Sequence, residues 1–267
     1  MKHSVFRPSA SFRALTLFFA PLFLISCGNL REDREVFGAT TPIGSISVDL
    51  DANNSCVRVG ECPIGNLVAD AFQAFSLSKG YATVGAFTNG GGIRYSKDTR
   101  PSGIYPAGEW NEALSYEVFP FENKFTVVTI TGAQLKSTME RSVASLPAAA
   151  GVFLQVSKEI KITVDSSKPA QKIDTSQTTI TQEGERITSI TINGVAYDPT
   201  ASYRFITSDF VAFASPTSTV NDGLVELRNL DPGFKENLDV NLIEALQYYI
   251  SIYTPVTAAV EGRITIN

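Results

Sequence analysis

The chain has 267 residues, 43% hydrophobic and 18% charged, which supplies enough apolar material for a folded core and excludes a disordered tail. Acidic side chains number 27 against 22 basic ones, so no basic footprint for nucleic acid exists, and a bound anion must be held by a local arrangement. The single histidine, His3, falls in a segment that reads as a cleaved leader, which leaves no histidine base, Ser-His-Asp triad or histidine metal site in residues 27–267.

The leader comes first in the chain. Lys2, Arg7 and Arg13 precede a twelve-residue apolar run from Ala14 to Ile25, too short to span a bilayer, and Leu24-Ile25-Ser26-Cys27 closes it. Those four residues match a bacterial lipobox, in which Cys27 carries lipid and becomes the mature N-terminus; a plain secretory signal is the alternative. The expected organisation is a signal peptide over 1–26, a tether over 27–42 and one domain over 43–267. That places the protein outside the cytoplasm, membrane-anchored, at the outer membrane or the cell surface or periplasmic face. Excision leaves 19 basic and 27 acidic side chains, a net charge of −8.

Ser45–Leu50 alternates as a strand does. Cys56 and Cys62 follow, and in an exported chain a disulfide between them is the default, with a metal site disfavoured for want of further ligands. Arg58 lies inside the loop they would close. Pro63 suits a first helical turn, and Ile64, Leu67, Val68, Ala71, Phe72 and Phe75 recur at helical spacing as far as Gly80, a suitable stop. Ala82–Thr88 reads as a buried strand that runs into Asn89-Gly90-Gly91-Gly92-Ile93-Arg94. Three glycines in a row remove every Cβ, so backbone N–H groups are expected to cradle an anion, with the Asn89 amide before them and the Arg94 fork after them. A glycine-rich turn with a surface arginine is the plainer alternative.

Lys97–Ala107 reads as loop, Lys124–Ile130 as a strand, and the Thr131-Gly132 turn as the lead into a helix with Leu135, Met139 and Val143 on one face. Phe153–Val156, Ile160–Val164 and Ile187–Ile192 are further strands, the last ending at the hairpin signal Asn193-Gly194. Ser166–Glu185 has no pattern and is expected to be an exposed loop or hairpin tip; Tyr203–Thr207 is a strand, Asn241–Ile252 a helix, and Arg263–Ile266 a closing strand. This interspersion without a strict βαβ rhythm predicts an α+β class, a single mixed-sheet domain flanked by helices.

Six ordered stretches then share one likeness. Glu61-Cys62-Pro63-Ile64-Gly65-Asn66-Leu67-Val68-Ala69-Asp70-Ala71, Thr88 to Arg94, Phe119-Pro120-Phe121-Glu122-Asn123, Thr131-Gly132-Ala133-Gln134-Leu135 with Glu140, Gly151 to Ser157, and Ser208-Asp209-Phe210 together resemble the C-terminal domain of 5′-nucleotidases, also found in UDP-sugar hydrolases and 2′,3′-cyclic phosphodiesterases. The resemblance implies a substrate-recognition role for a nucleotide or nucleoside ligand: Phe121 and Phe210 as rings stacking on the base, Asn89 at the base or sugar, Arg58 and Arg94 as a phosphate clamp. In that family a glycine-rich loop after the second phenylalanine carries an aspartate to the sugar. Here Asn221-Asp222-Gly223 is the nearest equivalent, some six residues late, so Asp222 is either that contact or an ordinary turn residue.

The family's hydrolytic half, which holds two divalent metal ions, has no counterpart in this sequence. The implied function is a lipid-anchored substrate-binding half acting with a separate metallophosphoesterase subunit, so no cofactor or catalytic residue is expected in this chain, the metal being held by that partner. Alternatives are a binding-only surface lipoprotein for nucleosides or nucleotides, and a retired fold reused as an adhesion surface.

Overall fold

A computed structural model describes residues 40–213 and 222–267. Cys27, the leader and most of the expected tether lie outside the described residues. The strands are β1 Pro42–Ile46, β2 Leu50–Asp51, β3 Gly85–Asn89, β4 Ile104–Tyr105, β5 Gly108–Asn111, β6 Lys124–Thr131, β7 Leu154–Val156, β8 Ile160–Val164, β9 Lys172–Ile173, β10 Ile180–Gln182, β11 Ile187–Ile192, β12 Val195–Ala196, β13 Ser202–Ser208, β14 Lys235–Asn241 and β15 Ile264–Ile266. The helices are α1 Asn54–Val57, α2 Pro63–Ser78, α3 Glu112–Val118, α4 Gly132–Ser142, α5 Asp209–Ala212, α6 Val225–Asn229 and α7 Leu242–Tyr253, with a 3₁₀ turn at Pro232–Phe234.

The α+β mixed-sheet class is what the structure shows. A five-stranded sheet in the order β14-β6-β13-β3-β7 carries the domain; β3 and β13 run parallel and their other neighbours antiparallel. Side chains alternate across it, because successive residues of a strand point to opposite faces. Ala86, Val127 and Ile206 enter one apolar cluster with α2 and α7, while Phe87, Val128 and Phe205 enter a second with α4 and the four-stranded sheet β12-β11-β8-β15.

Local chemistry sets the helix starts. Pro63 opens α2, and Gly80 follows its end at φ +82°, a left-handed conformation that glycine adopts without steric cost. Thr131 and Gln134 form a reciprocal capping box on α4, as Asn241 and Glu244 do on α7. Asn193 and Gly194 both have positive φ and join β11 to β12, the geometry that a two-residue hairpin requires.

Several expectations need adjustment. The strand expected over Ser45–Leu50 is two shorter ones, β1 and β2, which pair with β5 and β4. The patternless Ser166–Glu185 stretch contains the antiparallel pair β9 and β10, so it is a small hairpin. The sequence pattern gives no element to residues 108–123 or 235–241, where β5, α3 and β14 lie.

Candidate functional site

Strand direction gathers the site at one edge of the five-stranded sheet. The parallel pair β3 and β13 both end there, at Asn89 and Ser208. Their antiparallel partners begin there: Phe125 of β6 pairs with Ser208, and Leu154 of β7 with Asn89. The glycine run, Phe210 on α5, Phe121 before β6 and Gly151 before β7 therefore converge at the carboxyl ends of two parallel strands, where open sheets leave crevices.

The glycines do not cradle an anion. Gly90 N–H donates to Phe153 O at 2.7 Å, Gly91 N–H to Gly151 O at 2.9 Å and Gly92 N–H to Asn89 O at 2.9 Å, so all three donors are consumed internally. Close packing demands these residues instead. A Cβ on Gly90 would stand 2.0 Å from Val57 O, and one on Gly91 3.1 Å from the Gly151 Cα. The expected backbone anion nest at Gly90, Gly91 and Gly92 is thereby corrected: the protein's own backbone stands over Gly90 and Gly91, and the Asn89 side chain over Gly92.

What the glycines admit is the loop carrying Arg58. Cys56 and Cys62 form a disulfide with Cα atoms 5.4 Å apart, and Arg58 caps α1 within it. Its Nε is buried without a hydrogen-bond partner among the described residues. Burial, and after it the charge of Arg94, holds the Arg58 guanidinium below its ordinary pKa, while Asp222 acts in the opposite sense. Arg94 itself is exposed; its backbone N–H donates to Val118 O at the end of α3, and its guanidinium lies 5.8 Å from the centre of the Phe121 ring.

Asp222 reaches the same edge. Its Oδ2 accepts a 2.9 Å hydrogen bond from Asn89 Nδ2, across 133 residues of sequence, and its backbone holds a left-handed φ of 57°. Burial pushes its carboxyl pKa up, opposed by the Asn89 amide and by the Arg141 and Arg58 charges. Arg141, on α4, donates from Nε to Asp222 O at 3.1 Å. Beside this cluster is an open depression of about 190 Å³, lined by Arg141, Ser145, Gly151, Gln177 and Asp222 among others.

Arg141 is a site residue that the sequence does not single out, since nothing about an arginine in the last turn of a helix announces such a contact. Phe121 is 48% exposed, as a ring that meets a ligand must be, whereas Phe210 is half-buried and packs against the second apolar cluster. Arg58, Asn89, Arg94 and Asp222 are thus linked by contact or by electrostatic coupling, and Phe121 adjoins Arg94. Among the described residues no group of three His, Cys, Asp or Glu side chains is placed to hold a metal ion.

Comparison with known proteins follows the same outline. Residues 42–215 match the family model described as 5′-nucleotidase, C-terminal domain. The chain is 30% identical over 241 residues to the 5′-nucleotidase of Homo sapiens, covering 85% of this chain and 37% of that protein. It is 29% identical over 231 residues to the snake venom 5′-nucleotidase of Macrovipera lebetinus, covering 84% of this chain and 52% of that one. The solved 5′-nucleotidase precursor from Thermus thermophilus superposes with a TM-score of 0.70 at 27% identity, over 85% of this chain and 39% of that one. The chain therefore spans about half or less of the length of these relatives, and over that span it belongs to the 5′-nucleotidase C-terminal domain family.

Proposed function

We propose that this chain is the nucleotide-binding half of a 5′-nucleotidase-type hydrolase, exported, held at a membrane by lipid on Cys27, and working with a separate metal-bearing chain. The observation that carries this reading is the neighbouring charges of Arg58 and Arg94 beside the Asn89–Asp222 contact, with a buried Arg58 donor that has no hydrogen-bond partner among the described residues. Two guanidiniums that repel each other are relieved by an anion placed between them, and charge-assisted bonds to phosphate oxygens are about twice as strong as neutral ones. Phe121 offers an exposed face for a nucleobase, a contact of about 1–3 kcal/mol per base that tolerates any base; Phe210 is the second ring. The Asp222 carboxylate accepts from sugar hydroxyls, and Asn89 fixes it in place. Divalent metal held by the second chain would supply the activated water, and the residues of this chain would hold and orient the ester.

In this reading the lipid on Cys27 provides the membrane attachment; no helix among the described residues is long and apolar enough to cross a bilayer. Calorimetry with AMP, adenosine and inorganic phosphate tests the binding role: AMP binds more tightly than adenosine, and Phe121→Ala weakens both. Absence of AMP binding refutes it. Added to a candidate metallophosphatase chain with Mn²⁺, the protein raises AMP hydrolysis above that chain alone; AMP binding with no such gain leaves the binding-only reading.

A further inference from the structure

Gln155 stands at the centre of β7, opposite Thr88 on β3, with its side chain completely buried. A buried primary amide must find partners for its donors and its acceptor. Among the described residues, the side-chain partners of Gln155 all lie in the loop that carries Arg58. Nε2 donates to Val57 O at 3.0 Å and to Gly60 O at 2.8 Å, while Oε1 accepts from Cys62 N–H at 3.2 Å. One side chain on the sheet thus clasps the loop just before Arg58, two residues after it, and at the disulfide.

The surroundings leave that amide no second position. A Cβ on Gly65, in the first turn of α2, would fall 2.3 Å from Gln155 Oε1, so the helix seats directly on the amide. Val57 O, held from one side by Gln155, is also the atom against which Gly90 packs, and Ala150 N–H closes on Arg58 O at 3.3 Å. Both peptide groups of Arg58 are therefore pinned, one to β7 and one to the turn before it. Without that restraint a surface loop of this size would spread its arginine over many rotamers, and each would have to be frozen out on binding.

We propose that Gln155 is a positioning residue that fixes the Arg58 guanidinium for an anionic ligand, a role resting on the phosphate-binding reading of Arg58 above. The disulfide closes the loop covalently, but Gln155 sets where the closed loop sits relative to Asn89 and Asp222.

A double-mutant cycle with calorimetry tests this, using Gln155→Met, Arg58→Ala and the pair, each first checked by thermal melt. Arg58→Ala weakens AMP binding about tenfold or more, the scale of a lost hydrogen bond to a charged group, and leaves adenosine unchanged. Gln155→Met weakens AMP at least fivefold on the wild-type background, leaves adenosine within twofold, and adds nothing on the Arg58→Ala background. An equal loss on both backgrounds, or an equal loss for adenosine, overturns the inference while leaving the binding reading intact. If wild-type AMP is no tighter than adenosine, the binding reading itself is what fails. Should Gln155→Met not fold, hydrogen exchange of the Gln155 side-chain amide in the unaltered protein decides. Linkage is reciprocal, so AMP slows that exchange in the wild type and not in Arg58→Ala; a rate indifferent to AMP overturns the proposal.

Discussion

Gly90→Ala distinguishes a glycine run that receives a ligand from one that receives the protein's own backbone. The new Cβ would stand 2.0 Å from Val57 O, more than an ångström inside ordinary contact, and the obstacle is main chain that no rotamer change removes. Overpacking of this kind costs about 1–3 kcal/mol. Displacing Val57 O also strains its 3.0 Å bond from Gln155 Nε2, a loss of about 1 kcal/mol. The sum is about 2–4 kcal/mol, and for a domain of this size each kcal/mol moves the midpoint by roughly 2–4 °C. Thermal unfolding followed by circular dichroism should therefore show a fall of about 5–15 °C. Gly151→Ala is the matched control: its Cβ would meet Gly91 Cα at 3.6 Å and Asp222 oxygens at 3.8 Å, ordinary contact distances, so the fold should hold within about 2 °C. A Gly90→Ala midpoint within about 1–2 °C of wild type would refute the argument that these glycines serve internal packing.

The remaining predictions concern the charges. Arg94→Ala should weaken AMP about tenfold while sparing adenosine more, read by calorimetry. Asp222→Asn keeps a shape that can still accept from Asn89 but removes a charge whose burial raises its pKa. The sign follows from linkage: with the folded-state value above the unfolded one, the folded protein holds that proton more firmly, so this contribution to stability is present at low pH and is lost as pH rises through the folded pKa. Relative to wild type, Asp222→Asn should gain thermal stability as pH rises above the ordinary carboxylate range while losing nucleoside affinity; a variant whose stability falls relative to wild type as pH rises contradicts the burial argument. Away from the site, the Arg263 side chain is 3% exposed and forms a two-pronged pair with Asp70 at 2.7 and 2.8 Å. Asp70→Asn, which leaves much of that buried charge uncompensated, should cost about 3–5 kcal/mol in a denaturant titration, reduced by whatever Glu261 retains.

The elements that were legible in the sequence are those with a complete apolar face or an explicit terminal signal. Pro63 and Gly80 bracket α2, the capping partners Thr131 and Asn241 mark α4 and α7, and Asn193-Gly194 marks its hairpin. Illegible elements lacked such a face. Strand β14 is an edge strand in which Leu238 alone is buried, so its alternation is too weak to see, and the seven-residue α3 buries only Ser115 and Val118. Short and half-exposed segments form because neighbours supply the other half of their contacts.

The order of motifs from Glu61 to Phe210 was enough to establish the family, and two cysteines behind a stretch that reads as an export leader were enough to suggest their pairing. What lies between the motifs was decided only by tertiary packing. A glycine run is equally compatible with a ligand or with Val57 O above it, and the answer depends on where a loop some thirty residues earlier comes to rest. Likewise Asp222 could be a turn residue or a partner of Asn89, and Gln155 merely one more polar residue in a strand, until the register of β3, β7 and β13 places each against its neighbours. Sequence periodicity records which face of an element is apolar; which distant polar atoms meet is set by strand register and direction, and these exist only once the sheet has assembled.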